Sequence, residues 1–194
     1  MMNEYQKLMD FAKSIGQFPE EDLVLIPKYF SPKKVEKNEI LVHAGEICQH
    51  LYFINQGILR TYHYNSNGTE FTRLIRFENQ FCTNLLSFTG HTPCVAHIQA
   101  LEKGEVLCIT HHDFQEFIKQ SATAFQLYTK ILEEFQNFQL ERIEFLTNYS
   151  PKEKVALFLK TNPEIANRIT DKVSATYLQL TPETFCREKK KLES

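Results

Sequence analysis

Between Lys33 and Ile109 the chain carries seven short apolar runs cut by turn signals, and from Ile109 onward the apolar spacing becomes helical. That switch constrains the fold more than any other feature. Short runs alternate side chains across a sheet, whereas a period of 3.6 gathers them on one side of a helix. The runs are Lys33–Lys37, Glu39–His43, His50–Asn55, Gly57–Asn65, Thr69–Phe77, Ala96–Ala100 and Glu105–Thr110. Gly45-Glu46, Asn55-Gln56-Gly57, Asn65-Ser66-Asn67-Gly68, Phe77-Glu78-Asn79-Gln80 and Glu102-Lys103-Gly104 separate them. Asn67-Gly68 is a hairpin signal, because both residues tolerate positive φ. Strands at this spacing predict a sandwich or barrel. Thr83–Gly90 interrupts them as a helical turn. Ahead of the strands, a helix is predicted over Glu4–Ile15. A second follows Pro19 and stops at Pro27, with a turn over Tyr29–Pro32.

Beyond Ile109, His111–Lys119 predicts one helix and Thr123–Thr147, free of Gly and Pro, a long one. Tyr128, Ile131, Phe135, Phe138, Arg142 and Phe145 recur at steps of three and four. A second stripe, Phe125, Leu132, Leu140, Ile143 and Leu146, lies to one side. The plain reading packs this helix on its own domain. The width of the apolar surface favours a further face against a partner helix. Arg142 then needs a partner across that seam. A helix over Lys152–Thr161 follows, then the break Asn162-Pro163, the segment Ile165–Ile169 and the last segment, Asp171–Ser194.

Composition narrows the function classes. With 194 residues, 42% hydrophobic and 24% charged, the chain can build one large domain or two small ones, and global disorder is excluded. No run of about 18 apolar residues exists, which argues against a membrane span. Glu4 and Asp10 in the first ten residues argue against a secretory signal. Five cysteines, an odd number without a Cys-x-x-Cys pair, argue against a disulfide framework and for a reducing cytoplasm. Met1–Asn148 holds 13 Lys/Arg against 18 Asp/Glu, a net −5, while Tyr149–Ser194 holds 9 against 6, a net +3. The sign changes at Tyr149-Ser150-Pro151, which also reads as a helix stop and restart. A basic end on an acidic body is the first functional hint. His91-x-x-Cys94-x-x-His97 has ligand-like residues, but residues three apart on a strand face opposite sides and no fourth ligand follows, so no metal is expected. Cys82 and Cys94 invite a redox reading, although free cysteine more often serves as a small buried hydrophobe. Glycine-rich phosphate loops, nucleophile elbows and paired carboxylates are lacking, so an enzyme is not expected.

The last segment reads as two short helices and a tight turn. Asp171 caps the first, with Val173, Ala175, Tyr177 and Leu178 available for packing. Gln179-Leu180 turns, and Thr181 before Pro182 is an N-cap followed by proline at the first helical position. Phe185 and Leu192 point inward. Thr181, Glu183, Thr184, Arg187, Lys190 and Lys191 gather at the start and on the outward face as DNA-contact candidates. Such a helix presents its first residues to base edges and its flanking cations to phosphates, with Arg187 suited to a guanine.

Three stretches carry a family resemblance. Gly45-Glu46-Ile47-Cys48-Gln49-His50-Leu51-Tyr52-Phe53-Ile54-Asn55-Gln56-Gly57-Ile58-Leu59-Arg60 resembles the early strands of the Crp–Fnr transcription regulators. Asn67-Gly68-Thr69-Glu70 resembles their hairpin. Leu178–Arg187 is similar to their helix-turn-helix signature. The likeness covers roughly residues 25–192 and is strongest to the compact regulators typical of Bacteroidetes. It implies an α+β fold. An N-terminal double-stranded β-helix, a jelly roll of cyclic-nucleotide-binding type, spans 1–120. A dimerisation helix spans 121–148, and a C-terminal winged-helix or helix-turn-helix domain spans 149–194. It further implies a cytoplasmic homodimer, clasped through Tyr128, Ile131, Phe135, Phe138, Arg142 and Phe145, that binds double-stranded DNA, with RNA polymerase as a further partner and no membrane.

The likeness breaks at two places. The family holds its cyclic nucleotide with a Gly-Glu pair after a Phe and an Arg-Ser or Arg-Thr pair about a dozen residues later. Here Phe81 is followed by Cys82-Thr83-Asn84, and Cys94-Val95 stands where Arg-Ser belongs. Burying a phosphate without those donors is costly. No cofactor is therefore expected, cyclic AMP by the family's usual mode included. Phe81, Asn84, Leu85 and Cys94 mark the pocket by position only, and any other small ligand is unidentified. In the reader, Gln179 replaces the usual Gly, Glu188 and Lys189 replace apolar residues, and no wing follows Leu192, so any hairpin must precede Asp171. Two alternatives stay open: a sensor or scaffold that does not bind DNA, and a cyclic-nucleotide receptor with an unconventional site.

Overall fold

The computed structural model describes residues 4–16 and 18–193. Two expected segments have ends, at Met1–Asn3 and Ser194, outside the described residues. Eight strands run through them: β1 (Ser31–Val35), β2 (Ile40–Val42), β3 (His50–Gln56), β4 (Leu59–Tyr64), β5 (Glu70–Arg76), β6 (Phe81–Cys82), β7 (His97–Ala100) and β8 (Gly104–Thr110). They form two four-stranded sheets, ordered β1-β8-β3-β6 and β2-β7-β4-β5. Each of the seven expected runs contains a strand. β6 escaped the sequence reading because two residues carry no periodicity. The turn expected at Tyr29–Pro32 is instead the entry to β1, where Ser31 pairs with Cys108 and Pro32 with Leu107. Proline is tolerated there because β1 is an edge strand.

The helices are α1 (Gln6–Ile15), α2 (Glu20–Leu23), α3 (Ile26–Tyr29), α4 (Leu85–Gly90), α5 (His111–Gln120), α6 (Ala122–Asn148), α7 (Pro151–Thr161), α8 (Pro163–Arg168), α9 (Asp171–Tyr177) and α10 (Pro182–Glu193). Pro27, read as a stop, lies inside α3 near its start, a position where its missing N–H costs nothing. Ser150 caps α7 in a reciprocal pair with Glu153, and Pro151 opens the helix, so the restart has the expected chemistry. Such a cap stabilises by about 1 kcal/mol.

The chain forms two compact units. The first holds the described residues up to Tyr62 together with Ile75–Glu134; the second holds His63–Leu74 and the residues from Phe135 onward. Strands β4 and β5 and helix α6 therefore each pass from one unit into the other. In the first unit β3 is buried on both faces from Leu51 to Asn55. The Phe53 ring meets Phe11 of α1 at 5.6 Å and Phe81 of β6 at 5.0 Å. In the second, Val155, Phe158, Val173, Ala175, Leu178 and Phe185 are buried. Between the Asn162-Pro163 break and Asp171 the chain forms α8, with Pro163 opening the helical turn.

Gly104 has no room for a side chain. A Cβ there would land on the carbonyl oxygen of Gln56, with the Gly57 Cα 3.2 Å away. Gly104→Ala is expected to destabilise the chain by about 2–3 kcal/mol, as backbone overpacking does, and urea unfolding measures it.

Candidate functional site

Helices α9 and α10 meet through a helical stop. Leu180 N–H bonds the Ala175 carbonyl at 2.9 Å, Gln179 N–H bonds that of Thr176 at 3.4 Å, and Gln179 has φ 55°. This is a Schellman closure with a non-glycine residue in the left-handed position, at a cost of about 1 kcal/mol. Thr181 then caps α10, its hydroxyl accepting from Thr184 N–H at 3.2 Å. Thr170, rather than Asp171, caps α9. The Asp171 carboxylate instead takes Lys189 at 2.9 Å and fastens the start of α9 to α10. Phe185 is buried as expected, but Leu192, on the last turn of α10, is exposed.

Among the reader candidates, Thr181, Glu183, Arg187, Lys190 and Lys191 are exposed and Thr184 is half-buried. Arg187 and Lys191 share one partner. Glu188, buried on α10, accepts from Arg187 Nε at 2.9 Å and from Lys191 Nζ at 3.0 and 3.1 Å. Arg187 and Lys191 hold its carboxyl below the usual range. The residue that sequence marked as a departure from apolar packing is thus a counter-charge for Arg187 and Lys191.

On α6 the expected seam turns toward its own chain. Tyr128 packs on Phe114 at 4.9 Å. Ile131, Phe135, Phe138 and Phe145 are half-buried, and Arg142 is buried. Arg142 has its partner within the chain. Its guanidinium lies 3.7 Å from the centre of the Tyr177 ring, and Nη2 donates to the Tyr177 carbonyl. The exposed apolar residues are those of the second stripe: Phe125 at 51%, Leu140 at 55% and Ile143 at 58%. Sequence separated the two stripes but could not tell which one the monomer covers.

The expected ligand positions are occupied by the chain itself. Phe81 lines a small apolar cavity of about 20 Å³ with Leu8, Leu51, Phe114 and Ile131. Asn84 donates its side-chain amide to the Ala96 carbonyl at 2.8 Å. Cys94 is buried, with its thiol on the carbonyls of His43 and Ala96. Leu85 is half-buried at the start of α4. Ser87 accepts from Cys48 N–H at 2.8 Å and donates to the Thr92 carbonyl. The ligand-like triplet does not converge. His97 accepts from Ala44 N–H at 3.2 Å, and His91 pairs with His111 at 2.9 Å. No group of three metal ligands occurs among the described residues.

Residues 32–121 match the family model of the cyclic nucleotide-binding domain. Solved structures extend the likeness across the chain. FixK2 from Bradyrhizobium japonicum has a TM-score of 0.74 at 15% identity, covering 84% of this chain and 84% of that one. A transcriptional regulator of the Crp/Fnr family from Eubacterium rectale gives 0.72 at 21%, covering 91% and 84%. The c-di-GMP-responsive global regulator CLP of Xanthomonas campestris gives 0.74 at 12%, covering 90% and 92%. A search of curated protein sequences gives no match. The chain has the Crp–Fnr fold.

In a Crp–Fnr fold, the segment 81–95 is where sequence placed the cyclic phosphate. Here it contains no Lys, Arg, Asp or Glu, and its amide and hydroxyl donors are spent on its own backbone. These residues do not fit a buried cyclic phosphate. No helix among the described residues is long and apolar enough to cross a membrane.

The redox reading of Cys82 and Cys94 meets burial. Burial pushes the Cys82 thiol up to about 12 and raises that of Cys94. A thiol is nucleophilic only as thiolate, so Cys82 is expected to ignore an aromatic disulfide reagent at pH 8 until urea unfolds the chain. Because the folded thiol stays neutral while an unfolded one ionises near 9, its contribution to stability is complete below pH 9 and is lost on rising from 9 to 12.

Proposed function

We propose that the chain is a homodimeric, DNA-binding transcription regulator of the Crp–Fnr type, working in the cytoplasm, whose roll does not take a cyclic nucleotide by the family's usual mode. The observation that carries the reading is α10: a capped helix behind a tight turn, with Glu183, Thr184, Arg187 and Lys190 along its outward side. Phe125, Leu140 and Ile143 on α6, a helix about 40 Å long, support a second copy as partner. Two readers joined through such helices would address successive major grooves about 34 Å apart. The regulator fold supports RNA polymerase as a further partner. A shift of the paired helices would change the spacing between readers, which is the form a signal takes in such a molecule.

The competing reading is a sensor or scaffold that leaves DNA alone. Glu188 favours it, since one buried carboxylate engages two of the cations that phosphates would need. Fluorescence anisotropy against genomic fragments at low salt separates the two. Under the DNA-binding reading, Arg187→Ala costs about 1–3 kcal/mol of binding. Glu188→Gln releases Arg187 and Lys191 and tightens binding about three- to tenfold, with a steeper salt dependence. Unchanged affinity in both variants would remove α10 from the interface. For the dimer, Leu140→Glu and Ile143→Glu are each expected to yield monomers at micromolar concentration by light scattering, because a charge facing its own copy must be desolvated.

A further inference from the structure

Helix α9 is held from outside the reader at two successive residues. Thr176 and Tyr177 are the last two residues of α9, directly before the buried Leu178 and the left-handed Gln179. The Thr176 hydroxyl donates to the Val173 carbonyl at 3.0 Å, which leaves Thr72 of β5 as the donor in their 2.8 Å contact. Both threonines are buried and lie 104 residues apart in sequence. Tyr177 is held by Arg142 of α6, through ring and carbonyl together. All four residues belong to the second unit.

Packing around these contacts is open. A cavity of about 490 Å³, lined by His63, Thr72, Arg73, Arg142 and Gln179, lies on one side of Arg142. Another of about 280 Å³, lined by Phe138, Phe145, Phe158 and Tyr177, also touches it. Arg142 is thus a wall between two clefts. The end of α9 is positioned by these directed contacts in addition to the buried Ala175 and Leu178. A guanidinium in an apolar stripe, with no carboxylate among its partners, is a poor choice for stability alone, since burial disfavours its charge. Its planar shape does suit stacking on a ring while donating to a carbonyl.

We propose that Arg142 and Thr72 are positioning residues that clamp the last turn of α9 and so set the orientation of the helix-turn-helix. β5 and α6 each continue into the first unit, at Ile75 and Glu134. The clamp is therefore where displacement of either element is delivered to the turn before the reading helix. The proposal deepens the DNA-binding reading in its consequence but rests on contacts that exist without DNA.

The test uses the full-length chain and amide hydrogen exchange at Leu178, Gln179 and Leu180, whose protection reports local opening of the turn. Arg142→Met keeps the length of the side chain and removes its charge and donor. Thr72→Val keeps the shape and removes the hydroxyl. Each is expected to speed exchange at these three amides about tenfold, while amides of α7 and of β3 stay as in the native chain. Tyr177→Phe keeps the ring and behaves as native. Tyr177→Leu matches Arg142→Met and serves if the latter fails to fold. DNA affinity is expected to fall about fivefold in the clamp variants with an unchanged salt slope, because the cations of α10 are untouched. Exchange at the turn within twofold of native in both Arg142→Met and Thr72→Val overturns the clamp. If the native chain binds no DNA fragment, the regulator reading fails, and the exchange result still decides the clamp.

Discussion

A buried guanidinium resting on an aromatic ring holds the second unit in register. Arg142 leaves water to lie against Tyr177, and the desolvation of one cation costs several kcal/mol. A desolvated cation–π contact of about 2 kcal/mol and a charged hydrogen bond of about 1.5–3 kcal/mol offset it. The net is close to zero. What the interaction supplies is direction: the end of α9 has one place to be, with Gln179 and α10 following from it.

The same logic separates the two parts of the molecule. The roll is over-determined by apolar burial. β3 is covered on both faces, Phe11, Phe53 and Phe81 interlock, and Gly104 lets two strands approach to backbone contact. In the second unit, side-chain polar contacts add to a buried core of Val155, Phe158, Leu178 and Phe185. Asp171 reaches Lys189, Glu188 gathers Arg187 and Lys191, and Thr176 meets Thr72.

The segment 81–95 is held by contacts within the chain. In place of anion donors it has Asn84 tied to Ala96, Ser87 bridging Cys48 and Thr92, and Cys94 on two carbonyls. Each contact that would face a phosphate joins one part of the chain to another. The segment keeps its shape without a ligand, because its donors and acceptors satisfy one another.

Sequence by itself determined the strand-then-helix order, the helix restart at Ser150-Pro151, the cap at Thr181, the turn at Gln179-Leu180 and the lack of Lys and Arg between Phe81 and Val95. These depend on residue type and on neighbours a few positions away, so periodicity and turn chemistry suffice. It placed the cap of α9 one residue late, at Asp171 instead of Thr170, and read the exposed Leu192 as inward-facing. It also marked Arg142 and Glu188 as misfits without naming their partners. Only tertiary structure decided that Arg142 closes on Tyr177 and that Thr72 meets Thr176 across 104 residues. Those two pairings join segments distant in the chain, and no local rule of spacing or propensity carries information over that range, whereas Glu188 takes Arg187 and Lys191 from its own helix.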